Sequence, residues 1–201
     1  MEIVEPIRER KKIETIKKLL FLKSKRDYCL FVLGINSGLR ISDLLNLKIH
    51  DVVDDNNLIR DRITIREKKT NKTKDFPLVS NSQTAIKEYL ANRQYELSDP
   101  LFLSKKQCYG KKPIQRDQAY KIINNVAKEI GINERIGTHT LRKTFGYHAY
   151  KAGTSIEYLQ KLLNHSSQEI TLRYIGITKE HLDDIYIKLN LLIIGKKYYS
   201  S

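Results

Sequence analysis

Residues 34–47 read Gly-Ile-Asn-Ser-Gly-Leu-Arg-Ile-Ser-Asp-Leu-Leu-Asn-Leu, and the fold turns on how that stretch is parsed. An apolar helix over about Arg26 to Ser37 runs into Gly38, a residue suited to a left-handed helix cap. A second, short helix begins near Ile41 and carries Leu44, Leu45 and Leu47. Arg40 then falls in the break between two helices, where unpaired backbone N–H groups gather and a guanidinium can project into a cleft beside them. The same Arg40 could equally pair with Asp43, three residues on along a helix surface.

Outward from this stretch the chain reads as mainly α with a small antiparallel β-sheet. Ile13, Ile16, Leu19 and Leu20 recur at helical spacing on the N-terminal side. On the other side the period changes: Arg62-Ile63-Thr64-Ile65-Arg66 alternates strictly, the mark of a half-buried strand. Thr70-Asn71-Lys72 forms a turn and Lys74 to Val79 a returning strand, which Pro77 places at an edge. Helices return over about Gln83 to Tyr95, then along the stripe Ala119, Ile122, Ile123, Val126, Ala127 and Ile130, which Gly131 stops. A helix over about Thr140 to Lys151 ends at Gly153. Thr154 with Glu157, and Ser166 with Glu169, have the spacing of capping boxes for two more helices. A last amphipathic helix carries Leu182, Ile185, Tyr186, Leu189 and Leu192. No repeat, low-complexity tract or linker interrupts the pattern. One compact domain over residues 1–201 is expected, with a lead-in over about 1–24 and a C-terminal helix and tail over 178–201.

Charge narrows the function. The chain has 37 Lys+Arg against 23 Asp+Glu, a formal net charge of +14, and a sequence pI near 9.6. A hydrophobic share of 40% is that of a globular chain, so the charge does not belong to a disordered basic tail. It gathers at Arg8 to Lys12, at Arg66, Lys68, Lys69, Lys72 and Lys74, and at Lys105, Lys106, Lys111 and Lys112. Such a footprint fits a polyanion, with nucleic acid first. A membrane surface fits less well, because no segment joins a basic face to bulky flanking aromatics. No run approaches the roughly 20 apolar residues of a membrane span, and the opening MEIVEPIRERKK lacks the apolar core of a signal peptide. Cys29 and Cys108 stand in unrelated contexts, which favours neither a metal site nor a disulfide framework. A reduced, cytoplasmic protein is expected, nucleoid-associated if DNA is its partner.

Three further places concentrate chemistry. In Thr138-His139-Thr140-Leu141-Arg142, His139 and Arg142 are three apart and share a helix face, so both can touch one anion. In Leu162-Leu163-Asn164-His165-Ser166-Ser167, His165 sits in a break between two helices, as a ligand-facing group or as a loop histidine making one local hydrogen bond. Tyr174 follows nine residues later in Arg173-Tyr174-Ile175-Gly176 and reads, on its own, as readily as a core aromatic.

Order and spacing together say more than any one motif. Arg40, a lysine-bearing hairpin, His139-x-x-Arg142, His165 and Tyr174 resemble the tyrosine recombinase, or phage integrase, family over about residues 25 to 185. GINSGLRISDLLNL is similar to that family's first arginine box, THTLRKTFGYHAYKAG to its second, and LLNHSS with TLRYIG to its histidine and tyrosine boxes. The resemblance implies the family's catalytic-domain fold and site-specific cleavage and rejoining of double-stranded DNA, for integration, excision or inversion. It implies that Tyr174 attacks a backbone phosphate to leave a 3′-phosphotyrosyl link and a free 5′-hydroxyl. Arg40 and Arg142 would clamp the phosphate oxygens, His139 would move the tyrosine's proton, and His165 would add a hydrogen bond. Lys69, which precedes Thr70 at the turn, would protonate the leaving 5′-oxygen. Lys68, Lys72, Lys74 and Lys143 are expected on DNA phosphates.

The chemistry closes with neither cofactor nor metal, since the phosphotyrosine conserves the energy of the broken bond and arginine holds charge without losing a proton. The resemblance also implies a homo-tetramer on DNA, weakly associated when free, with an accessory DNA-bending protein or a partner recombinase. Only some 25 residues precede the helix leading to Arg40, so no separate N-terminal domain is expected and the chain resembles compact fimbrial-type DNA invertases in size. Two other readings remain: a type IB topoisomerase-like enzyme, and a non-catalytic DNA-binding regulator built on the helix, turn and helix of Thr140 to Leu163.

Overall fold

A computed structural model of the chain describes residues 4–104, 110–177, 183, 186 and 187. Its elements are α1 (Arg10–Lys23), α2 (Lys25–Ser37), α3 (Ile41–Leu45), β1 (Arg62–Arg66), β2 (Thr73–Pro77), α4 (Ser80–Leu90), α5 (Arg116–Glu129), α6 (Thr140–Lys151), α7 (Ile156–Leu162) and α8 (Gln168–Tyr174), with a 3-10 turn at Ile49–Asp51. The mainly α architecture with a small antiparallel sheet is as expected. Of the expected C-terminal helix, Tyr186 is described and helical, whereas Leu182, Ile185, Leu189 and Leu192 lie outside the described residues, as do Lys105, Lys106 and Cys108.

The centre of the fold is α2. Leu30, Phe31, Val32 and Leu33 are buried in succession, so the helix hides more than one face. It is covered chiefly by α1, α4 and α6. Ser24 breaks α1 from α2 with extended backbone, and its hydroxyl accepts the Asp27 N–H at 3.3 Å. At Gly34 the helices come so close that an added Cβ would run into the Leu141 side chain of α6. Gly38 then closes α2 at φ 59°, and a Cβ there would meet the Phe145 ring at 2.6 Å. Glycine is required twice over at that position, for conformation and for space.

Residues before α1 form part of this body. The Ile7 N–H donates to Thr144 Oγ1 at 2.9 Å, and the Ile7 carbonyl lies 2.9 Å from His148 Nε2, both on α6. Ile7, Ile13, Ile16 and Leu20 are buried, so the stretch read as a lead-in is integral to the core.

The hairpin pairs Arg62 with Pro77, Ile63 with Phe76, Thr64 with Asp75, Ile65 with Lys74 and Arg66 with Thr73. Asn71 supplies the turn's left-handed residue at φ 56°. The second strand stops at Pro77, two residues earlier than expected, because the Leu78 N–H turns back to the Asp61 carbonyl and Val79 becomes the cap of α4. That helix therefore starts at Ser80 and ends at Leu90. Beyond it, Arg93 donates to the Leu101 and Pro100 carbonyls and draws the chain into a loop.

Both expected caps shift by one residue. Thr154 gives its N–H to the Ala149 carbonyl, completing the exit from α6, and Ser155 takes the N-cap position of α7 without a side-chain capping bond. Ser167, not Ser166, caps α8, accepting the Ile170 N–H at 3.2 Å. A small apolar cluster of Leu159, Leu163 and Ile175, with Phe145 and Tyr174 against it, seats these two helices.

Candidate active site

Four separate pieces of chain meet at one side of the fold: the α2–α3 break, the hairpin turn, the start of α6, and the α7–α8 segment. Arg142 joins three of them. Its side chain is almost fully enclosed, 2% exposed. Nη1 donates to the Gly38 carbonyl at 2.6 Å, and Nη2 donates to the Leu163 carbonyl. A guanidinium has five N–H donors in a planar fork, so this anchoring leaves donors for an anion. Burial and the neighbouring Arg40 charge push its pKa down, against the carboxylates of Glu67 and Asp43.

Arg40 emerges from the α2–α3 break and reaches Glu67, with Nη1 2.8 Å from Oε2. The expected alternative, a pairing with Asp43, does not form. Asp43 instead turns to the hairpin and accepts the Lys68 N–H at 3.0 Å.

His139 and Arg142 do share a face at the start of α6, with His139 in the cap position. His139 Nδ1 lies 3.3 Å from the Tyr174 hydroxyl. Burial, with the charges of Arg116, Arg142, Lys143 and Lys69, holds the His139 pKa below its ordinary value. A neutral ring with its proton on Nε2 accepts the tyrosine O–H at Nδ1. Tyr174 ends α8, half-buried; burial raises its pKa, and Arg142 and Arg40 pull the other way. The tyrosine is therefore protonated at neutral pH and must hand its proton on in order to react.

His165 completes the wall, its ring edge-on to Tyr174 with centroids 4.8 Å apart. Nδ1 lies 3.1 Å from Thr171 Oγ1, whose hydroxyl donates to the Ser167 carbonyl at 3.0 Å. Burial, then Arg142 and Arg40, lower the His165 pKa to about 4. An arriving anion would supply the missing countercharge.

The hairpin lysines divide. Lys68, Lys69 and Lys72 are exposed, and the charge of Lys69 is felt at His139. Lys74 is half-buried, with its ammonium donating to the Ser37 carbonyl at 3.2 Å. Burial and the charges of Arg142 and Arg40 lower its pKa to about 8. It lines a cleft of about 670 Å³ that also takes in Ser37, Glu67, Phe145 and Asn164. Lys143 departs furthest from expectation. It is 7% exposed, and its ammonium sits 5.2 Å from the Tyr174 ring centroid. Its helix position turns it inward beneath the tyrosine ring.

Two polar residues of the site were not picked out from the sequence. Glu67 is buried where the alternation of Ile63 and Ile65 continues, and an acid at a position of buried parity is the signal that could have revealed it. Asn164 adopts φ 49°, a conformation that asparagine tolerates. Among the described residues, no cluster of three or more His, Cys, Asp or Glu side chains is placed to hold a metal ion, and no helix is long and apolar enough to cross a membrane.

Comparison with known proteins bears on this arrangement. The model of the phage integrase family matches residues 9–181. Probable integrase/recombinase YoeC of Bacillus subtilis (strain 168) is 45% identical over 180 residues, covering 90% of this chain and 93% of that one. Tyrosine recombinase XerC of Thermodesulfovibrio yellowstonii is 34% identical over 172 residues, covering 82% of this chain and 54% of the relative. The chain thus spans nearly all of the first relative and about half of the second. Among solved structures, XerA recombinase superposes with a TM-score of 0.72 at 22% identity, over 94% of this chain and 65% of the other. XerH recombinase bound to palindromic difH substrate, in its post-cleavage complex, gives 0.69 at 21% identity, over 92% and 53%. At those identities the likeness is one of fold.

Proposed function

The chain belongs to the phage integrase family, and from that premise we propose that it is a site-specific DNA recombinase that cleaves and rejoins strands through Tyr174. The observation that carries the reading is the pairing of Tyr174 Oη with His139 Nδ1 at 3.3 Å, inside a wall built by Arg142, Arg40 and His165.

The Tyr174 oxygen attacks the phosphorus of a backbone phosphodiester and passes its proton to His139. The bond from phosphorus to the 5′-oxygen breaks, that oxygen takes a proton from Lys69, and a 3′-phosphotyrosyl link remains. Rejoining runs the same steps backward with a different 5′-hydroxyl. Arg40 and Arg142 hold the negative charge that builds on the non-bridging oxygens, the role for which two planar, permanently charged forks suit. His165 adds a hydrogen bond, and Lys74 lends a third cation. Lys68 and Lys72, exposed at the hairpin, meet neighbouring phosphates of double-stranded DNA. The resemblance supports assembly as a homo-tetramer on DNA, with an accessory or partner protein, and a cytoplasmic, nucleoid-associated protein. It also supports reading residues 1–201 as one catalytic domain.

Covalent trapping tests this. The protein is incubated at low salt with DNA from around its own gene, quenched with detergent, and any adduct is mapped by peptide mass. An adduct at Tyr174 that is absent from Tyr174→Phe is the expected result. Binding with no adduct under any condition would favour a DNA-binding regulator. Relaxation of supercoils without a defined site would favour a topoisomerase.

A further inference from the structure

We infer that Glu67, with Asn164, is a positioning residue that fixes the hairpin turn carrying Lys69 against the phosphate-facing side chains; the inference rests on the recombinase reading above. A single carboxylate oxygen, Oε2, gathers three partners. The Thr70 hydroxyl donates to it at 2.7 Å and the Asn164 amide at 3.0 Å, while Arg40 Nη1 sits 2.8 Å away. These partners come from three pieces of chain that sequence keeps far apart: the hairpin turn, the α7–α8 break and the α2–α3 break. Each bears a residue assigned to the reaction. Thr70 follows Lys69, Asn164 precedes His165, and Arg40 is itself a clamp.

Asn164 adds bonds that Glu67 does not make. Its amide also donates to Thr70 Oγ1 at 3.2 Å, and its carbonyl oxygen accepts from Lys72 Nζ at 3.4 Å. The residue before it, Leu163, takes a hydrogen bond from Arg142. The backbone of the turn closes on Glu67 as well: the Glu67 N–H donates to the Lys72 carbonyl at 2.9 Å, and the Asn71 N–H to the Glu67 carbonyl at 2.8 Å.

Glu67 is 2% exposed. Burial opposes its charge, yet the hydrogen bonds from Thr70, Asn164 and Arg40 prevail and hold its pKa at about 2. The carboxylate is thus a permanent anchor at any working pH. A salt link at the surface would fix little. A buried oxygen held by two hydrogen-bond donors and the Arg40 ion pair, from three pieces of chain, fixes their relative positions, because moving any one leaves a buried polar or charged group without its partner. Displacement by about 1 Å at a reacting centre can cost on the order of 100-fold in rate.

The test uses full-length protein on its trapped target site, with single-turnover cleavage of pre-bound DNA. Asn164→Gly keeps the left-handed backbone accessible and removes only the side-chain bridge, so the fold survives. Glu67→Gln keeps the shape and removes the charge. Both are expected to bind DNA within about threefold of the parent and to cleave at least about tenfold more slowly, with the double variant little worse than either alone. A substrate whose 5′-bridging oxygen is replaced by sulfur needs no proton at the leaving group. On it Asn164→Gly should recover most of its rate, because what it misplaces is Lys69. Parent-like cleavage of ordinary DNA by Asn164→Gly, or an equal deficit on both substrates, overturns the inference while leaving the parent's Tyr174 adduct intact. Absence of an adduct in the parent overturns the recombinase reading itself, and this inference with it.

Discussion

His139 Nδ1 and the Tyr174 hydroxyl stand 3.3 Å apart, across thirty-five residues of chain, with both groups uncharged at neutral pH. The histidine is ready to receive a proton and the tyrosine still has one to give. The nucleophile is thus not pre-ionised; it is activated as it attacks. Tyr174→Phe should abolish the covalent adduct while DNA affinity stays within about twofold, read by detergent-quenched gels beside equilibrium binding. His139→Ala should slow adduct formation by about 100-fold or more, the usual scale for losing a proton acceptor.

Lys69 and Lys74 should separate by leaving group. Lys69→Ala slows cleavage of ordinary DNA and recovers on a 5′-bridging sulfur substrate, because a thiolate departs without a proton. Lys74→Met slows both, because Lys74 acts through charge beside Arg142 and Arg40. The parent's cleavage rate should also fall as pH rises past about 8, where Lys74 loses that charge. A single-turnover pH series on the two substrates, with each variant, checks all of this.

Stability should fall with acid in a defined window. The folded pKa of His165 is lowered to about 4 and that of His139 also lies below its ordinary 6.5. Between those limits the unfolded chain binds more protons than the folded one, so stability rises with pH through this range and levels off above about 6.5. Glu67, at about 2, adds a second loss only at lower pH, as the carboxylate is protonated below its ordinary 4.5. Urea midpoints from pH 7 to pH 4 should decline, and less steeply in His165→Gln. The opposite slope would place charged histidines in the fold.

Salt dependence should sort the lysines. Removing Lys68 or Lys72, both exposed on the hairpin, should lower the slope of log affinity against log salt by about 1 each. Lys143→Met should leave that slope unchanged, because its ammonium is committed to the Tyr174 ring. Its effect should appear in cleavage rate alone. Equilibrium titrations between roughly 50 and 200 mM salt make the comparison.

Much of the site was legible in one dimension. Gly38 ends a helix because glycine takes the left-handed backbone angle without steric cost, and that fixes Arg40 in a break. His139 and Arg142 share a face because three residues nearly complete a helical turn. His165 and Tyr174 bracket a short capped helix. Rules of this kind act within a few residues, and a sequence states them directly. The caps at Ser155 and Ser167 missed by one residue for a related reason: neighbouring serines and threonines compete for the same role, and Thr154 was already claimed by the exit of α6.

What the tertiary structure alone decided is which distant groups touch. Arg40 chose Glu67 over Asp43, Lys143 turned beneath Tyr174, and Asn164 met a carboxylate ninety-seven residues away. None of these contacts has a period or a local propensity to betray it. They exist because burial of α2 among α1, α4 and α6 brings the hairpin, the α6 start and the α7–α8 segment to one side of the core. Once the groups are there, a buried charge must find the partner that geometry offers, whatever lies nearest along the chain.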